Sequence, residues 1–173
     1  MTDWSNIVRQ YGPLVWNTAY RLLSNDADAS DCFQETFVSA LKLSRQEPIR
    51  HWPAMLKRLT TARALEILRK RYRRTDRHEA WPESPVIDDR AVDPIQRISH
   101  VEVADHLREA LAQIDPRQAE VFCLTVIEEQ AYQTVAEQLG LTVSHVGVLL
   151  HRAKKSLQDR MTSHQPSSRE DHS

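Results

Sequence analysis

The sequence predicts an all-α protein of two small helical domains joined by a flexible acidic linker, with a helix-turn-helix in the second domain. The 173 residues include three glycines and 6% aromatic residues, which leaves little material for tight β-turns. Apolar residues recur at helical spacing along most of the chain, as in Trp4, Ile7, Val8 and Tyr11. This spacing stops between about residues 75 and 97, where prolines are mixed with acidic residues, and the interruption predicts the linker.

The first predicted domain covers residues 1–74 and contains four helical stretches. Two amphipathic helices are expected, one before and one after Pro13. Residues 24–26 form a turn, and Asp28 can cap a third helix. A loop that ends at Pro53 separates the third helix from a long fourth one.

Charge is distributed unevenly along the chain, although the formal net charge is -1. Residues 2–74 hold 13 Lys and Arg against 7 Asp and Glu, whereas residues 75–110 hold 4 against 9. The fourth helix is the most basic segment, and such a cluster is typical of a protein that binds a polyanion. A solvated helix end is the alternative. The acidic stretch, with Asp88, Asp89 and Asp93, is expected to shield the basic helix or to mimic DNA.

The second predicted domain covers residues 98–161 and is followed by a tail, 162–173, that is expected to be disordered. The tail is polar and has no apolar face. Asp115 followed by Pro116, with Gln118 three residues after the aspartate, is a strong signal for the start of a helix.

Residues 132–151 fit the register of a helix-turn-helix. Ala136 allows the two helices to approach closely, and Gly140 suits a left-handed turn. Thr142 or Ser144 can cap the second helix, which in DNA-binding members of this motif enters the major groove. The apolar positions are held by Val135, Leu139, Leu141, Val146 and Leu149, and the exposed ones by Ser144, His145, Gly147, Val148, His151, Arg152 and Lys155. An ordinary helical corner without a ligand is the alternative.

Three passages of the sequence resemble bacterial RNA polymerase sigma factors of the extracytoplasmic-function type. The first runs from Tyr11 to Phe37 and includes the segment Asp-x-x-Gln-Glu-Thr-Phe. The second is Asp115–Phe122, and the third runs from Val135 to Lys154. Together the resemblance covers about residues 4–161. It implies a subunit that binds core RNA polymerase and directs it to promoters, without catalysis of its own.

The resemblance also implies roles for the residues of the first domain. One face of the third helix matches the surface by which the family binds polymerase: Asp31, Gln34, Glu35 and Val38. These residues can equally be a solvated helix face. The loop before Pro53 and the basic helix match the family's site for capturing and melting the minus-ten element, which here offers Trp52, Lys57, Arg58, Arg63, Lys70 and Arg74. Trp52 can stack on a flipped base or serve as a core anchor, and both interpretations stay open.

The second helix of the helix-turn-helix matches the family's reader of the minus-thirty-five element. The expected contacts come from Arg117, Thr142, Ser144, His145, Val148, His151, Arg152 and Lys155. The sequence departs from the commonest family pattern at 147–149, where Gly-Val-Leu replaces two basic residues separated by a serine. Val148 can contact a thymine methyl group instead. Fewer phosphate contacts then remain, so we expect weak DNA affinity without the polymerase.

Two other classes of protein explain less of the sequence. A free-standing dimeric helix-turn-helix regulator explains residues 132–157 but leaves the Asp31–Phe37 segment and the basic helix without a role. An enzyme is not expected, since the eight histidines show no metal-ligand spacing and no phosphate loop or nucleophile motif appears. We therefore expect no cofactor and no metal. The expected partners are core RNA polymerase, promoter DNA and an anti-sigma factor, in the cytoplasm and without membrane insertion.

Overall fold

The computed structural model describes the backbone of residues 1–75 and 94–163, and the side chains of residues 1–73 and 100–163. Within these residues every regular element is helical, which confirms the all-α prediction. The helices are α1 (Trp4–Leu23), α2 (Asp26–Gln46), α3 (Trp52–Thr75), α4 (Pro94–Gln113), α5 (Pro116–Phe122), a π-helical turn (Cys123–Ile127), α6 (Tyr132–Leu139) and α7 (Val143–Ser163). None of the described helices is long and apolar enough to cross a membrane.

Helix α1 continues through Pro13, so the prediction of two separate helices around this residue was wrong. A proline normally forces the preceding residue out of the helical region, partly because its ring clashes with that residue's Cβ. Here the preceding residue is Gly12, which has no Cβ. Gly12 is also buried, and the Cβ of a larger residue would lie 3.7 Å from the ring of Phe33.

Helix α2 begins three residues earlier than the sequence indicated. The N-cap is Asn25, whose side chain accepts a hydrogen bond of 3.0 Å from the backbone N–H of Asp28. Asp28 is therefore inside the first turn instead of capping it, where its charge suits the positive end of the helix dipole. Its carboxylate also pairs with Arg71 of α3 at 2.6 Å.

The helix-turn-helix forms as the sequence predicts. Asp115 caps α5 by accepting hydrogen bonds from the N–H groups of Arg117 and Gln118, at 3.0 and 3.1 Å. Gly140 ends α6 in a left-handed conformation with φ 65°. The hydroxyl of Thr142 accepts a hydrogen bond of 3.1 Å from the N–H of His145 and so caps α7, which decides between the two predicted caps.

Three apolar cores hold the described helices together. The first half (α1–α3) has a core around Val15, Ala40, Met55 and Leu56, and the second half (α4–α7) has one around the helix-turn-helix. The third core is shared by the two halves. It includes, from the first half, Leu22, Leu23, Leu65 and Leu68, and from the second half, Leu111, Ile114, Cys123 and Leu157. The two halves therefore pack directly against each other.

Helix α4 lies across the end of α1. Arg108 donates from Nε to the carbonyl of Leu22 at 2.9 Å and from Nη2 to the carbonyl of Arg21 at 3.4 Å. These carbonyls are among the last of α1 and have no partner within their helix, so a cation here also suits the negative end of the dipole. Most of the predicted linker (76–93), with Asp88, Asp89 and Asp93, and the end of the predicted tail (164–173) lie outside the described residues.

Candidate functional site

The predicted polymerase-binding face forms one exposed stripe on α2. Asp31, Gln34, Glu35 and Val38 follow the i, i+3, i+4, i+7 spacing of one helix face, and all four are exposed. Val38 is 44% exposed, although it is apolar. The opposite face of α2 is anchored in the first half, where the thiol of Cys32 contacts the carbonyl of Thr60 at 3.5 Å.

The predicted minus-ten cations lie in different environments along α3. Lys70 is exposed. Arg63 is half-buried and pairs with Glu66 at 2.9 Å. Lys57 and Arg58 are also half-buried, and both bond to the second half of the molecule. The side chain of Arg74 lies outside the described residues.

Trp52 is packed into an aromatic cluster at the start of α3. Its ring lies edge-on to that of Trp4, with 5.7 Å between the ring centroids, and is stacked on Tyr11 at 6.4 Å. The residue is half-buried. These contacts favour the core-anchor interpretation, because a ring already stacked on Tyr11 has one face fewer to offer a base.

The exposed face of α7 carries the predicted minus-thirty-five residues. Gly147 is half-buried under the ring of Tyr132, and Val148 is 45% exposed. Arg117 lies on α5, where it is exposed and pairs with Glu120 at 3.5 Å. The other predicted residues of this group are exposed along the helix-turn-helix: Thr142, Ser144, His145, His151, Arg152 and Lys155.

Sequence reasoning missed the residues that join the two halves. Glu128 follows the π-helical turn, and its side chain is 3% exposed. It binds Arg21 of α1 and Lys57 of α3. Gln138 of α6 accepts a hydrogen bond of 3.3 Å from Nε of Arg58. No local pattern could have indicated these contacts, because the partners are 71 to 110 residues apart along the sequence.

Both cysteines are buried and free of disulfide bonds. Burial raises the pKa of Cys32 to about 11, and it raises the pKa of Cys123 further. Such thiols stay protonated and are poor nucleophiles at neutral pH. Among the described residues, no group of histidine, cysteine and carboxylate side chains is arranged to hold a metal ion.

Comparison with known protein families covers both halves of the chain. Residues 7–74 match the family model for Sigma-70 region 2, and residues 104–157 match that for Sigma-70, region 4. The chain belongs to the sigma-70 family. Both halves thus match regions of one family, in the order that the sequence motifs indicated.

Two curated sigma factors are similar over most of this sigma-70 protein. It is 30% identical over 168 residues to the ECF RNA polymerase sigma factor SigE of Mycolicibacterium smegmatis, a match that covers 95% of this chain and 63% of SigE. It is 27% identical over 164 residues to the RNA polymerase sigma factor YlaC of Bacillus subtilis, covering 91% of each. The chain therefore spans less than two thirds of the length of SigE. The resemblance to the extracytoplasmic-function type is confirmed.

Two solved structures share the fold of this sigma-70 protein. One is the sigma factor RpoE in complex with the anti-sigma factor NepR from Bartonella quintana, with a TM-score of 0.55 and 20% identity over 95% of this chain and 100% of the other. The second is CnrH in complex with the cytosolic domain of CnrY, with a TM-score of 0.55 and 23% identity over 94% and 89% of the two chains.

Proposed function

We propose that this protein is a promoter-specificity subunit that binds core RNA polymerase and directs transcription initiation. The observation that carries the proposal is the presence of regions 2 and 4 of the sigma-70 family in one chain, each with an exposed helix face. The free-standing dimeric regulator explains the helix-turn-helix alone and gives no role to region 2. The proposed role requires no catalytic step by this chain, since the polymerase performs the chemistry.

The exposed stripe on α2 is the proposed polymerase-binding surface. Its two carboxylates, Asp31 and Glu35, are four residues apart and point to solvent, so they can meet a basic surface without first breaking internal contacts. Val38 adds exposed apolar area beside them. Charge complementarity of this kind increases the rate and specificity of association.

The DNA contacts are proposed for the two regions separately. In region 2, the α3 cations Lys57, Arg58, Arg63, Lys70 and Arg74 would hold the phosphates of the minus-ten element, with Trp52 as a fixed wall beside them instead of an intercalating wedge. In region 4, α7 would enter the major groove of the minus-thirty-five element. Val148 would contact a thymine methyl group, and the polar and basic residues named above for this helix would contact base edges and phosphates.

We also propose that an anti-sigma factor controls this protein in a stress or envelope response in the cytoplasm. The two solved structures of similar fold are described as complexes with an anti-sigma factor, NepR, and with a cytosolic domain, that of CnrY. Purification of the protein from its source without a partner, together with constant activity across stresses, would argue against this control.

The proposed function is tested by transcription in vitro from the DNA upstream of the protein's own gene. Purified protein and bacterial core polymerase together should give transcripts with a defined start, whereas neither component alone should do so. Absence of any start that depends on this protein would refute the proposal.

The polymerase-binding surface is tested by the double substitution Asp31→Lys and Glu35→Lys. It should weaken binding to core polymerase about tenfold or more, because two attractive contacts become repulsive. The control is Glu102→Lys with Asp159→Lys, which changes the same charge at exposed positions outside α2. Circular dichroism should show equal helix content in both variants. Unfolding of the α2 variant, or equal polymerase binding by the two variants, would contradict the assignment.

A further inference from the structure

A small cavity lies between α3 and α5. Its volume is about 250 Å³, just below the range of about 300–1,000 Å³ that is usual for small-molecule pockets, so it suits a small metabolite. Its apolar lining comes from Ala62 and Leu65 of α3 and from Pro116 of α5. The rest of the lining is charged and consists of two arginines and two glutamates. A ligand for this cavity therefore needs a short carbon skeleton and several polar groups.

Arg69 brings an unsatisfied hydrogen-bond donor to the wall of this cavity. Its Nη1 is buried, and within the part of the chain that the structure describes no acceptor bonds to it. A buried donor without an acceptor is destabilising and is rare in folded proteins, where a bound ion or an ordered water usually supplies the missing acceptor. The unsatisfied guanidinium therefore points to an anion as the occupant of the cavity.

The charges around Glu120 also favour an anion. Burial raises the pKa of Glu120, and the charges of three arginines act in the opposite direction: Arg117, Arg58 and Arg69. Water thus screens charges only partly at this side of the cavity. Nη1 of Arg117 lies 3.5 Å from the nearer carboxylate oxygen of Glu120, whereas a strong charge-assisted hydrogen bond measures about 2.7–2.9 Å. Both arginines of the lining therefore retain capacity for a further acceptor.

We propose that this cavity binds a small phosphate monoester that carries free hydroxyl groups, such as a sugar phosphate. The phosphate accepts hydrogen bonds from Arg69 and Arg117, whose planar guanidinium groups match its geometry. Two guanidinium groups at one cavity favour a dianion with three acceptor oxygens over a single carboxylate. The carboxylates of Glu66 and Glu120 accept hydrogen bonds from the hydroxyl groups, and the apolar lining covers the carbon skeleton. This site goes beyond the proposed function and does not depend on it.

Binding is tested with ribose 5-phosphate and the full-length protein, by titration calorimetry and by thermal unfolding. At about 10 mM the ester should raise Tm by about 3–5 °C, the shift expected for a Kd of about 1 mM. Ribose alone, and sodium sulfate at equal ionic strength, should each give a shift of less than about 1 °C. Inorganic phosphate lacks the sugar and should bind about tenfold more weakly. Equal affinity for ribose 5-phosphate and inorganic phosphate, which means an adventitious ion only, would overturn the proposal, as would no binding.

The position of the site is tested with Arg69→Gln and the matched control Lys70→Gln. The two substitutions remove the same charge from adjacent residues, but Lys70 is exposed and does not line the cavity. Arg69→Gln should bind ribose 5-phosphate about tenfold more weakly than Lys70→Gln, because a charge-assisted hydrogen bond is lost. Circular dichroism should show equal helix content in both variants. Equal affinity of the two variants for the ester would refute the assignment.

A second pair of variants acts in the opposite direction and protects the test against misfolding of the first. Glu120→Gln removes a negative charge beside the phosphate and keeps an acceptor for a hydroxyl group. It should bind ribose 5-phosphate about threefold more tightly than Glu102→Gln, whose charge is removed from an exposed position on α4. Equal or weaker binding by Glu120→Gln would contradict the proposal.

DNA is the other source of phosphate for these arginines, and Arg117 is already among the residues proposed to contact the minus-thirty-five element. Arg69 separates the two uses. If Arg69→Gln weakens binding of a fluorescent oligothymidylate, relative to Lys70→Gln, while the two variants bind ribose 5-phosphate equally, the guanidinium serves DNA and the small-molecule site is refuted. None of these measurements requires polymerase or a promoter, so failure of the proposed function would leave their expected results unchanged.

Discussion

The two glycines of the helix-turn-helix should respond to alanine substitution with opposite signs. Gly140 has φ 65°, and no atom lies within 4 Å of the position that a Cβ would take. The effect of Gly140→Ala is therefore confined to the backbone. A left-handed conformation is unfavourable for alanine by roughly 1–2 kcal/mol. The reduced freedom of the unfolded chain offsets roughly 0.4–1 kcal/mol of this, so we expect a net loss of about 1 kcal/mol.

Gly147 lies in the interior of α7, where no left-handed conformation is required. An added Cβ would lie 3.9 Å from Cε2 of Tyr132, which is an ordinary van der Waals contact. The helix propensity of alanine exceeds that of glycine by about 0.8–1.0 kcal/mol. Gly147→Ala should therefore stabilise the protein by up to about 1 kcal/mol.

Urea unfolding followed by circular dichroism measures both effects. The two variants should differ by about 2 kcal/mol in the free energy of unfolding, or by roughly 4–8 °C in Tm. The substitutions are chemically identical and lie in the same motif, so each serves as the control for the other. A loss of stability in both variants would refute the argument that alanine suits the helical backbone at Gly147. No loss of stability in Gly140→Ala would refute the argument that the left-handed turn requires glycine.

Three further predictions concern the α7 surface and the buried thiols. Val148→Ala should change the free energy of unfolding by no more than about 0.5 kcal/mol. It should lower, several-fold, the ratio of transcription from a template with an intact minus-thirty-five element to transcription from one with that element scrambled. If this ratio is unchanged, Val148 does not read DNA. The buried Cys32 and Cys123 should resist a thiol reagent at pH 8 in the folded protein and react after unfolding, and fast labelling of the native protein would contradict this. Burial raises the pKa of Cys32 from 9.0 to about 11. The stability that depends on its protonated thiol is therefore complete below about pH 9 and declines as the pH rises toward 11. The urea midpoint should accordingly be lower at pH 10 than at pH 8.

Local features of this fold could be predicted from the sequence because each depends on a few neighbouring residues. The cap at Asp115 and the left-handed turn at Gly140 are determined within four residues. The exposed stripe from Asp31 to Val38 follows from helix periodicity alone. The continuous α1 could not be predicted in this way, because a proline usually marks a boundary and the glycine before it gave too little signal to reverse that expectation.

The packing of the two halves depends on contacts that no local pattern contains. Periodicity identifies the buried face of a helix, but it does not identify the helix that covers this face. Leu65 of α3 and Leu111 of α4 are typical core residues in the sequence, and only the structure shows that they belong to one shared core. Trp52 illustrates the same limit. Whether its ring is a core anchor or is free to stack on a base depends on whether the rings of Trp4 and Tyr11 contact it, and the sequence does not show this.

Charge gives the most instructive comparison between sequence and structure. The segment balances lead to the expectation that the dense acidic stretch between the domains shields the basic helix, and most of this stretch lies outside the described residues. Within the described residues, however, the carboxylate that contacts Lys57 belongs to Glu128, a buried residue of the second half. A buried carboxylate at a fixed distance interacts more strongly with a cation than a solvated carboxylate does, because solvent and salt screen the solvated charge. Charge density along a sequence therefore gives no weight to an isolated carboxylate such as Glu128, whose contact with Lys57 depends on burial.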